Sequence, residues 1–480
     1  MQQPEYREGP GRRASAALAA IRRARSLPVR AAWLVAVTVL LAAFALLNLR
    51  HVLAGAAFTP YAAGNLAALL AVGLLLVQFA LSSRIRALDR AFALNRLLSL
   101  HAKVGPVAGV LALLHPVLIF MPAAPTGADI MQLWREGLGA LALVIAGTVV
   151  ATSLWRTFLE LSFEAWRLIH QLVFIMVALI AVHSLVLGSD IWEGWPRAFW
   201  WGIIAVFAGL TAYEKVYKPT ALRRALYTVD AVTKASRDTW NLDLRALNGT
   251  ALEHVPGQFA FLTLLPDQGG KALRHLPARL WRAARLALYG KAGRAEEHPF
   301  TISSAGDDPG VISFTIKESG DYTSTIGNVR PGTRALVDGP YGQFSHLVLA
   351  GGDILMIAGG VGITPMLSML RHVAARGGPA VTLVWGNKTE EDIILRDEID
   401  GLAASPSGLK VHHVLSEQDD WPGERGFVTE ELLGRILSRE ELQRRVFLCG
   451  PPVMMEKVTK DLRRLGVPRS RIHTERFALE

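Results

Sequence analysis

Between residues 31 and 216 the chain alternates long apolar runs with short polar breaks, and after Lys218 that texture stops. Six runs, at about 31–49, 62–81, 99–121, 137–158, 165–188 and 197–216, have the length a helix needs to cross the apolar core of a bilayer. The pattern predicts a six-helix transmembrane bundle. The second half is written in shorter periods. VPGQFAFLTL, HPFTISS, GVISFTIK and TRALVDGPYGQF are β-rich runs bounded by Gly and Pro, which predicts a small antiparallel β-barrel. From about residue 346, apolar strand, glycine turn and helix alternate through DILMIAGGVGITPMLSMLRHVA, AVTLVWGNK, KVHHVLSE and RVFLCGPPVMMEKVTKDLRRLG. That alternation predicts an α/β doubly wound parallel sheet. The expected chain is multidomain: a basic N-terminus at 1–30, the membrane bundle at 31–218, the barrel at 219–345 with a basic insertion at 266–297, and the α/β domain at 346–480.

Composition and charge sharpen this picture. A hydrophobic share of 51% and a mean hydropathy of +0.29 exceed the usual soluble range, as a part-embedded chain requires. Arg12, Arg13, Arg22, Arg23, Arg25 and Arg30 precede the first run, Arg84, Arg86, Arg90 and Arg96 fill the loop after the second, and Lys215, Lys218, Arg223 and Arg224 follow the sixth. Positive loops stay cytoplasmic. The expectation is a multi-pass cell (inner) membrane protein with both termini and the whole second half in the cytoplasm. The same cations account for most of the net charge of +10, so nucleic acid is not needed as a partner. The first run lacks a small-residue cleavage site and reads as an uncleaved helix rather than a signal peptide. With one cysteine, Cys449, there is no intrachain disulfide framework.

Four histidines stand inside the apolar runs: His101 and His115 in the third, His170 and His183 in the fifth. Polar side chains at bilayer depth are costly and usually functional, and imidazole is a common haem ligand. Intervals of 14 and 13 residues put two ligand levels roughly 20 Å apart at ~1.5 Å per residue. Third and fifth runs point the same way, so His101 pairs with His170 at an inner level and His115 with His183 at an outer one. Two haems, one near each membrane face, would carry electrons across. At ~100° per residue, 14 residues return to nearly the same face, whereas 13 leave the second ring about 140° around. The segment 165–189 must therefore be locally overwound, or its rings approach from different azimuths. The plainer alternative is that the histidines are interhelical hydrogen-bonding glue.

The second half adds HPFTISS (298–304), GDYTS (320–324), DGPYG (338–342), GGVGITP (359–365), WGNKTEEDI (385–393) and LCGPP (448–452). In this order they look like the flavin and nicotinamide motifs of ferredoxin-reductase-type proteins. Joined to the four-histidine half, the chain resembles the NADPH oxidase and ferric reductase superfamily from about residue 31 onward, most closely its bacterial-type NADPH oxidases. The resemblance implies FAD, two b-type haems and NADPH or NADH as cofactors. It assigns His298, Pro299, Phe300, Thr301 and Ser303 to the flavin strand, Lys317 to a flavin phosphate, and Thr323 and Ser324 to the pyrophosphate; strand-end capping is the other reading of those hydroxyls. Gly359, Gly360, Gly362, Thr364 and Pro365 open a helix whose N-terminus suits a nucleotide pyrophosphate. The resemblance also turns Cys449, Gly450 and Pro451 toward the nicotinamide and gives Phe477 the place that covers the flavin where nicotinamide arrives, a core phenylalanine being the other reading; Lys388 pairs with the 2′-phosphate of NADPH or is simply solvated.

Two places depart from the family pattern. The segment KALRHLPARLWRAARLALYGKAGRAEE (271–297) alternates leucines and Trp281 with arginines, as a helix lying on an anionic membrane surface or packed on the barrel would. Oxygen-reducing relatives shape the acceptor site with an arginine at the outer end of the first helix and a histidine one turn after the outer third-helix ligand. Arg50 fits the first role, or is an interfacial charge, while Ile119 stands where the histidine would be. Phe174, with Met176 nearby, is the candidate aromatic between the fifth-run ligands. No calcium-binding loop is visible. The implied activity is transmembrane electron transfer to a small acceptor, oxygen or a ferric complex; reduction of a periplasmic partner protein is an alternative, and a nucleotide-regulated transporter conflicts with the histidine pairing.

Overall fold

The computed structural model describes residues 11–55, 57–120, 130–187, 194–249, 251–265, 296–306, 308, 310–349, 351–405 and 408–476. Most of the insertion at 266–297 and Phe477 lie outside the described residues. The chain divides into two compact units, Ser26–Pro219 and a second made of Met1–Arg25 with Thr220–Glu480.

The first unit is helical: α2 (Leu27–Leu53), α3 (Pro60–Ser82), α4 (Arg86–Phe92), α5 (Leu94–Phe120), α6 (Ile130–Leu154), α7 (Phe163–His170), α8 (Val173–Leu187) and α9 (Gly194–Ala212), with α1 (Gly11–Ala24) and most of α10 (Lys218–Arg224) belonging to the other unit. Proline at the first turn suits the helix starts of α2 and α3, and Thr59 caps α3 by accepting from the Ala62 amide. The outward faces are apolar, with Leu34 63%, Val144 64% and Leu168 70% exposed, which only a lipid surround tolerates at this density. Among the described residues five helices, where six runs were expected, are long and apolar enough to cross a membrane, the fifth being the α7–α8 pair at Ala165–Val186. The sixth run does form a helix, α9, but Arg197 and three tryptophans occupy its first turns and its end loosens into a π-turn at Tyr213–Tyr217. Its hydropathy is diluted where an interfacial belt would sit. The expected overwinding is present. Just after His170, Leu172 N donates to Ile169 O and Phe174 N to Gln171 O, bonds of the tighter three-residue type that advance the helix faster than 100° per residue.

In the second unit, strands β1 (Tyr227–Ser236), β2 (Thr239–Ala246), β3 (Phe259–Leu264), β4 (Glu297–Thr301), β5 (Val311–Lys317) and β6 (Arg334–Tyr341) form an antiparallel sheet in the order β4-β3-β6-β1-β2-β5. Its core holds Val229, Leu242, Leu244, Leu262, Ile312 and Phe314. The edges meet at one point, where Ile302 bridges Phe314 and Ser303 N donates to Ser313 O at 2.8 Å. The expected barrel is therefore a curled sheet joined by a single bridge, because the ladder ends as the chain leaves β4 through Ser303.

The remaining strands, β7 (Ile354–Gly359), β8 (Val381–Asn387), β9 (Leu409–Leu415), β10 (Glu424–Arg425), β11 (Arg445–Cys449) and β12 (Ile472–Glu475), form a parallel sheet in the order β10-β9-β8-β7-β11-β12. Every residue of β7 is buried, Ile354, Met356 and Ala358 toward one core and Leu355 and Ile357 toward the other. A strand covered on both faces is what a near-continuous apolar run encodes. Helices α11 (His346–Leu349), α12 (Thr364–Arg376), α13 (Arg396–Ala404), α14 (Glu430–Ile436), α15 (Arg439–Gln443) and α16 (Pro452–Arg464) complete the unit. The chain moves outward from β7 to β10, then returns to β11 on the other side. That reversal places a crevice at the carboxyl edge between β7 and β11.

Candidate functional site

In the helical unit the histidines come together as paired from the sequence. The rings of His101 and His170 lie 6.0 Å apart between centroids, and those of His115 and His183 6.5 Å. Two metal–nitrogen bonds of ~2 Å plus ~1 Å from each nitrogen to its ring centre sum to roughly 6 Å, so each pair has the spacing of two imidazoles on one iron. The backing of each ring is equally specific. Nδ1 of His101 faces the Gln78 carbonyl at 3.3 Å, and Nδ1 of His115 faces the Gly64 carbonyl at 3.1 Å. A carbonyl accepts only, so these nitrogens carry the proton and the Nε2 lone pairs are left for a metal. On the other side Nδ1 of His170 meets the Ser153 hydroxyl at 3.4 Å, while Gly139 admits the His183 ring: a Cβ there would lie 2.6 Å from its Cε1. Residues 64 and 78 on α3, and 139 and 153 on α6, repeat the 14-residue interval of 101 and 115. Paired imidazoles are a donor set that suits a haem iron; among the described residues no three His, Cys, Asp or Glu side chains converge.

Sequence reasoning missed Gln78 and Ser153. Gln78 is buried in α3 and its Nε2 also donates to the His101 carbonyl at 2.9 Å; a polar residue in an apolar run was the available signal. Ser153 accepts from Trp166 Nε1 at 3.1 Å, and the Trp166 ring lies 5.1 Å from that of His170. Arg50, near the end of α2, sits over the Trp195 ring at 6.0 Å. Ile119 packs on Gly64, whose Cβ would be 3.2 Å from its Cγ1. Phe174 turns to Phe79, 5.6 Å between centroids, with Lys215 Nζ 4.4 Å over its ring, and Met176 is buried. Packing, rather than a place between the ligands, accounts for both.

At the carboxyl edge of the parallel sheet the glycine loop and the CGPP loop interlock. A Cβ on Gly362 would lie 2.3 Å from the Cys449 carbonyl oxygen, and one on Gly359 would lie 2.4 Å from Met454 Sδ and 2.9 Å from Pro451. Gly360 takes φ +51°, a left-handed conformation favouring glycine. Thr364 and Pro365 then open α12, with the Thr364 hydroxyl donating to Val361 O. Gly359, Gly360, Gly362, Cys449, Gly450 and Pro451 thus share one crevice. The Cys449 side chain is not part of its surface: it is fully buried in the core beneath, and that burial, with Glu475, pushes its thiol up. Its backbone is what reaches the loop. Lys388, just past β8, pairs with Glu417 at 3.0 Å, both exposed.

On the antiparallel sheet, His298 to Thr301 form β4 against β3, with Ala260 opposite Phe300. The His298 ring stacks on Tyr322 at 4.1 Å and its Nε2 meets Glu296 at 3.2 Å. Three expected flavin contacts are otherwise engaged. Ser303 is fully buried and its hydroxyl accepts from Thr315 at 3.0 Å; Thr323 Oγ1 accepts from the Ser319 and Gly320 amides; and Ser324 donates to Asp321 O. Short hydroxyl side chains bond to their own loop whenever it offers backbone partners, which is the capping reading. Lys317 pairs with Asp238 at 3.0 Å.

Residues 67–181 match the family model of the ferric reductase like transmembrane component, and 356–460 match the oxidoreductase NAD-binding domain. In this order, the two matched segments are consistent with a ferric reductase/NADPH oxidase-type fusion. Among curated relatives, it is 34% identical to NADH-cytochrome b5 reductase 1 of Pyricularia oryzae over 36% of this chain and 58% of that one. It is 32% identical to NADH-cytochrome b5 reductase 2 of Lodderomyces elongisporus over 46% of this chain and 74% of that one. The first relatives are spanned over 58% to 65% of their length. Among solved structures, the FAD/NAD binding domain of nitric oxide dioxygenase from Vibrio cholerae is 21% identical with a TM-score of 0.44, covering 52% of this chain and 98% of that one. A segment similar to a membrane component is thus joined to one that matches an oxidoreductase NAD-binding domain and is similar to NADH-dependent reductases.

Proposed function

We propose that this chain is a transmembrane NADPH oxidase, carrying electrons from cytoplasmic NADPH through FAD and two b-type haems to oxygen on the far side, with superoxide as product. Each NADPH gives two electrons, enough for two oxygen molecules, and the flavin supplies the conversion from a hydride to the single electrons a haem accepts. The observation that carries this reading is the double pairing: His101 with His170, His115 with His183, each at haem spacing and on helices backed by α3 or α6. With the arginines on one side, α9 makes the sixth crossing that returns the reductase half to the cytoplasm. The curled sheet then acts as the flavin barrel. Gly359 to Gly362 and the α12 N-terminus hold the nucleotide pyrophosphate, and Lys388 exchanges Glu417 for the 2′-phosphate.

Arg50 is assigned to the acceptor end, since α2 ends and α3 begins on the side of His115 and Gly64. A fixed cation there favours the anion formed from neutral oxygen. One observation favours a second reading, ferric-chelate reduction by the same path: Ile119 fills the position next to His115 against Gly64. Purified protein with FAD decides between them. The expected result is NADPH oxidation with dismutase-sensitive cytochrome c reduction, slowed in Arg50→Ala at unchanged haem content. Fast anaerobic ferric-chelate reduction, with no dismutase-sensitive signal in air, selects the second reading.

A further inference from the structure

The strand that carries the flavin motif and the helix that carries the nucleotide motif are joined by a polar suture. Directly after β4, the Ser303 carbonyl accepts from Arg371 Nη1 at 2.8 Å and the Ser304 carbonyl accepts from the Ser368 hydroxyl at 2.7 Å. Ser368 and Arg371 are three residues apart on α12, hence on one face of that helix. The suture is braced from both sides. Arg371 forms a two-pronged pair with Glu398 of α13, at 2.5 and 2.7 Å, which fixes the guanidinium plane. His254 Nε2 also meets the Ser304 carbonyl, at 3.0 Å, and the Gly257 amide reaches Ser368 Oγ at 3.4 Å. Gly257 has φ +91° and a Cβ there would lie 2.0 Å from the Phe344 carbonyl oxygen, so this approach of the two sheets admits no side chain. Beside the suture lies a cavity of about 360 Å³ lined by Asn241, Asp243, Ser313 and Arg371. The sheets are also joined at the end of β1, where the Ala235 carbonyl accepts from the Leu395 amide at 2.8 Å and Arg237 pairs with Asp392 at 3.1 Å.

We propose that Arg371 and Ser368 are positioning residues for the transfer from nicotinamide to flavin, an inference that rests on the functional reading above. Neither group touches the reacting atoms. Their bonds tie the last residues of the flavin strand to the helix that begins at the nucleotide loop, so Ser303, Ser304, Ser368 and Arg371 fix the sheets at the end nearest the nucleotide loop, and with it the approach of donor to acceptor, while the β1 contacts fix them elsewhere. Donor-to-acceptor transfer is steep in distance: a misplacement of ~1 Å costs on the order of 100-fold in rate. Loss of the suture should therefore show in the rate at saturating nucleotide and not in affinity.

The test is anaerobic stopped-flow reduction of the flavin in the full-length, FAD-loaded protein. Arg371→Gln is expected to slow flavin bleaching by saturating NADPH by about 10- to 100-fold, to weaken the long-wavelength nicotinamide–flavin charge-transfer band, and to shift the nucleotide Kd less than about threefold. Bleaching by dithionite should stay at the wild-type rate. Ser368→Ala keeps the guanidinium and should slow bleaching by a smaller factor, with the double variant less than multiplicative because both act on one joint. If Arg371→Gln loses its FAD, Glu398→Gln, which frees the guanidinium without removing it, is measured instead. Wild-type bleaching rates in these variants, or a loss confined to nucleotide Kd, overturn the proposal. A wild-type protein whose flavin is not reduced by NADPH or NADH at all overturns the functional reading instead.

Discussion

On the function proposed above, the two units carry their chemistry in opposite ways. In the helical unit side chains do the work and backbone steadies them: His101 and His115 lean on the carbonyls of Gln78 and Gly64. In the reductase unit backbone does the work and side chains stand aside, Gly362 pressing on the Cys449 carbonyl while the Cys449 thiol is buried below. The solvent explains the contrast. At bilayer depth an unpaired peptide group is too costly to offer to a ligand, so a helix keeps its backbone bonded and presents imidazoles. At the carboxyl edge of a parallel sheet, loop and helix-start amides are unpaired anyway and serve an anion.

Substitutions in the two units should fail in different ways, and the largest effects test that directly. His115→Leu is expected to halve the haem-to-protein ratio from near two to near one by pyridine haemochrome and to abolish acceptor reduction, leaving FAD content and flavin reduction by NADPH intact. A ratio of one in the wild type, unchanged in His115→Leu, sinks the two-level reading. Glycine substitutions cross the comparison. Gly139→Ala puts a methyl 2.6 Å from the His183 ring and should lower haem occupancy with the flavin reaction unaffected. Gly362→Ala drives a methyl into the Cys449 carbonyl and should lower kcat/KM for NADPH by at least about 10-fold at full haem content. If both lower the same observable, the units are not independent in the way their chemistry implies.

The sequence displayed the helical site by identity, since four histidines in apolar runs stand out, and counting degrees between 170 and 183 showed that a regular helix would not align them; the tightened turn after His170 supplies part of that angle. It did not display what holds them. A carbonyl acceptor such as that of Gly64 has no letter of its own, and Gly139 reads as one more small residue until a ring lies against it. In the reductase unit the order of motifs pointed to the crevice, while the bonds of individual side chains could not be read from their letters. The Thr323 and Ser324 hydroxyls bond to the backbone of their own loop, and that of Ser303 to the Thr315 hydroxyl on β5. The sixth run was legible as a helix, though Trp195, Trp200, Trp201 and Arg197 take α9 out of the set long and apolar enough to cross by composition.

An intermediate effect separates the units by pH. Burial, with the His372 ring 5.4 Å away, pulls the His346 imidazole down to about 4. A folded pKa below the unfolded 6.5 means that the unfolded chain binds more protons between those values. His346 therefore contributes its full stability above pH 6.5, and that contribution is lost as pH falls toward 4, amounting to at most about 3 kcal/mol. Flavin-release melting of the full-length protein should drop between pH 7 and 4.5, and His346→Leu should flatten that part of the slope. Haem absorbance, read on the same samples, reports whether the helical unit follows. An unchanged slope in His346→Leu assigns the acid sensitivity elsewhere.

The smallest expected effect concerns the one place where a side chain, rather than backbone, is assigned to recognition in the reductase unit. Lys388 and Glu417 form an exposed pair at 3.0 Å, with 63% and 57% of their side chains accessible, so solvent screens both the existing contact and any exchange for a 2′-phosphate. A contact of that kind is worth about 0.5–1 kcal/mol, hence a change of about two- to fivefold in the NADPH to NADH ratio of kcat/KM. Lys388→Ala should lower that ratio by such a factor. Glu417→Gln should raise it, because a carboxylate that repels the phosphate and competes for the ammonium is gone. The effect should shrink at 0.5 M salt, as only an exposed charge contact does. A ratio indifferent to both substitutions removes Lys388 from the site and returns selection of the nucleotide to the backbone, in keeping with the rest of this unit.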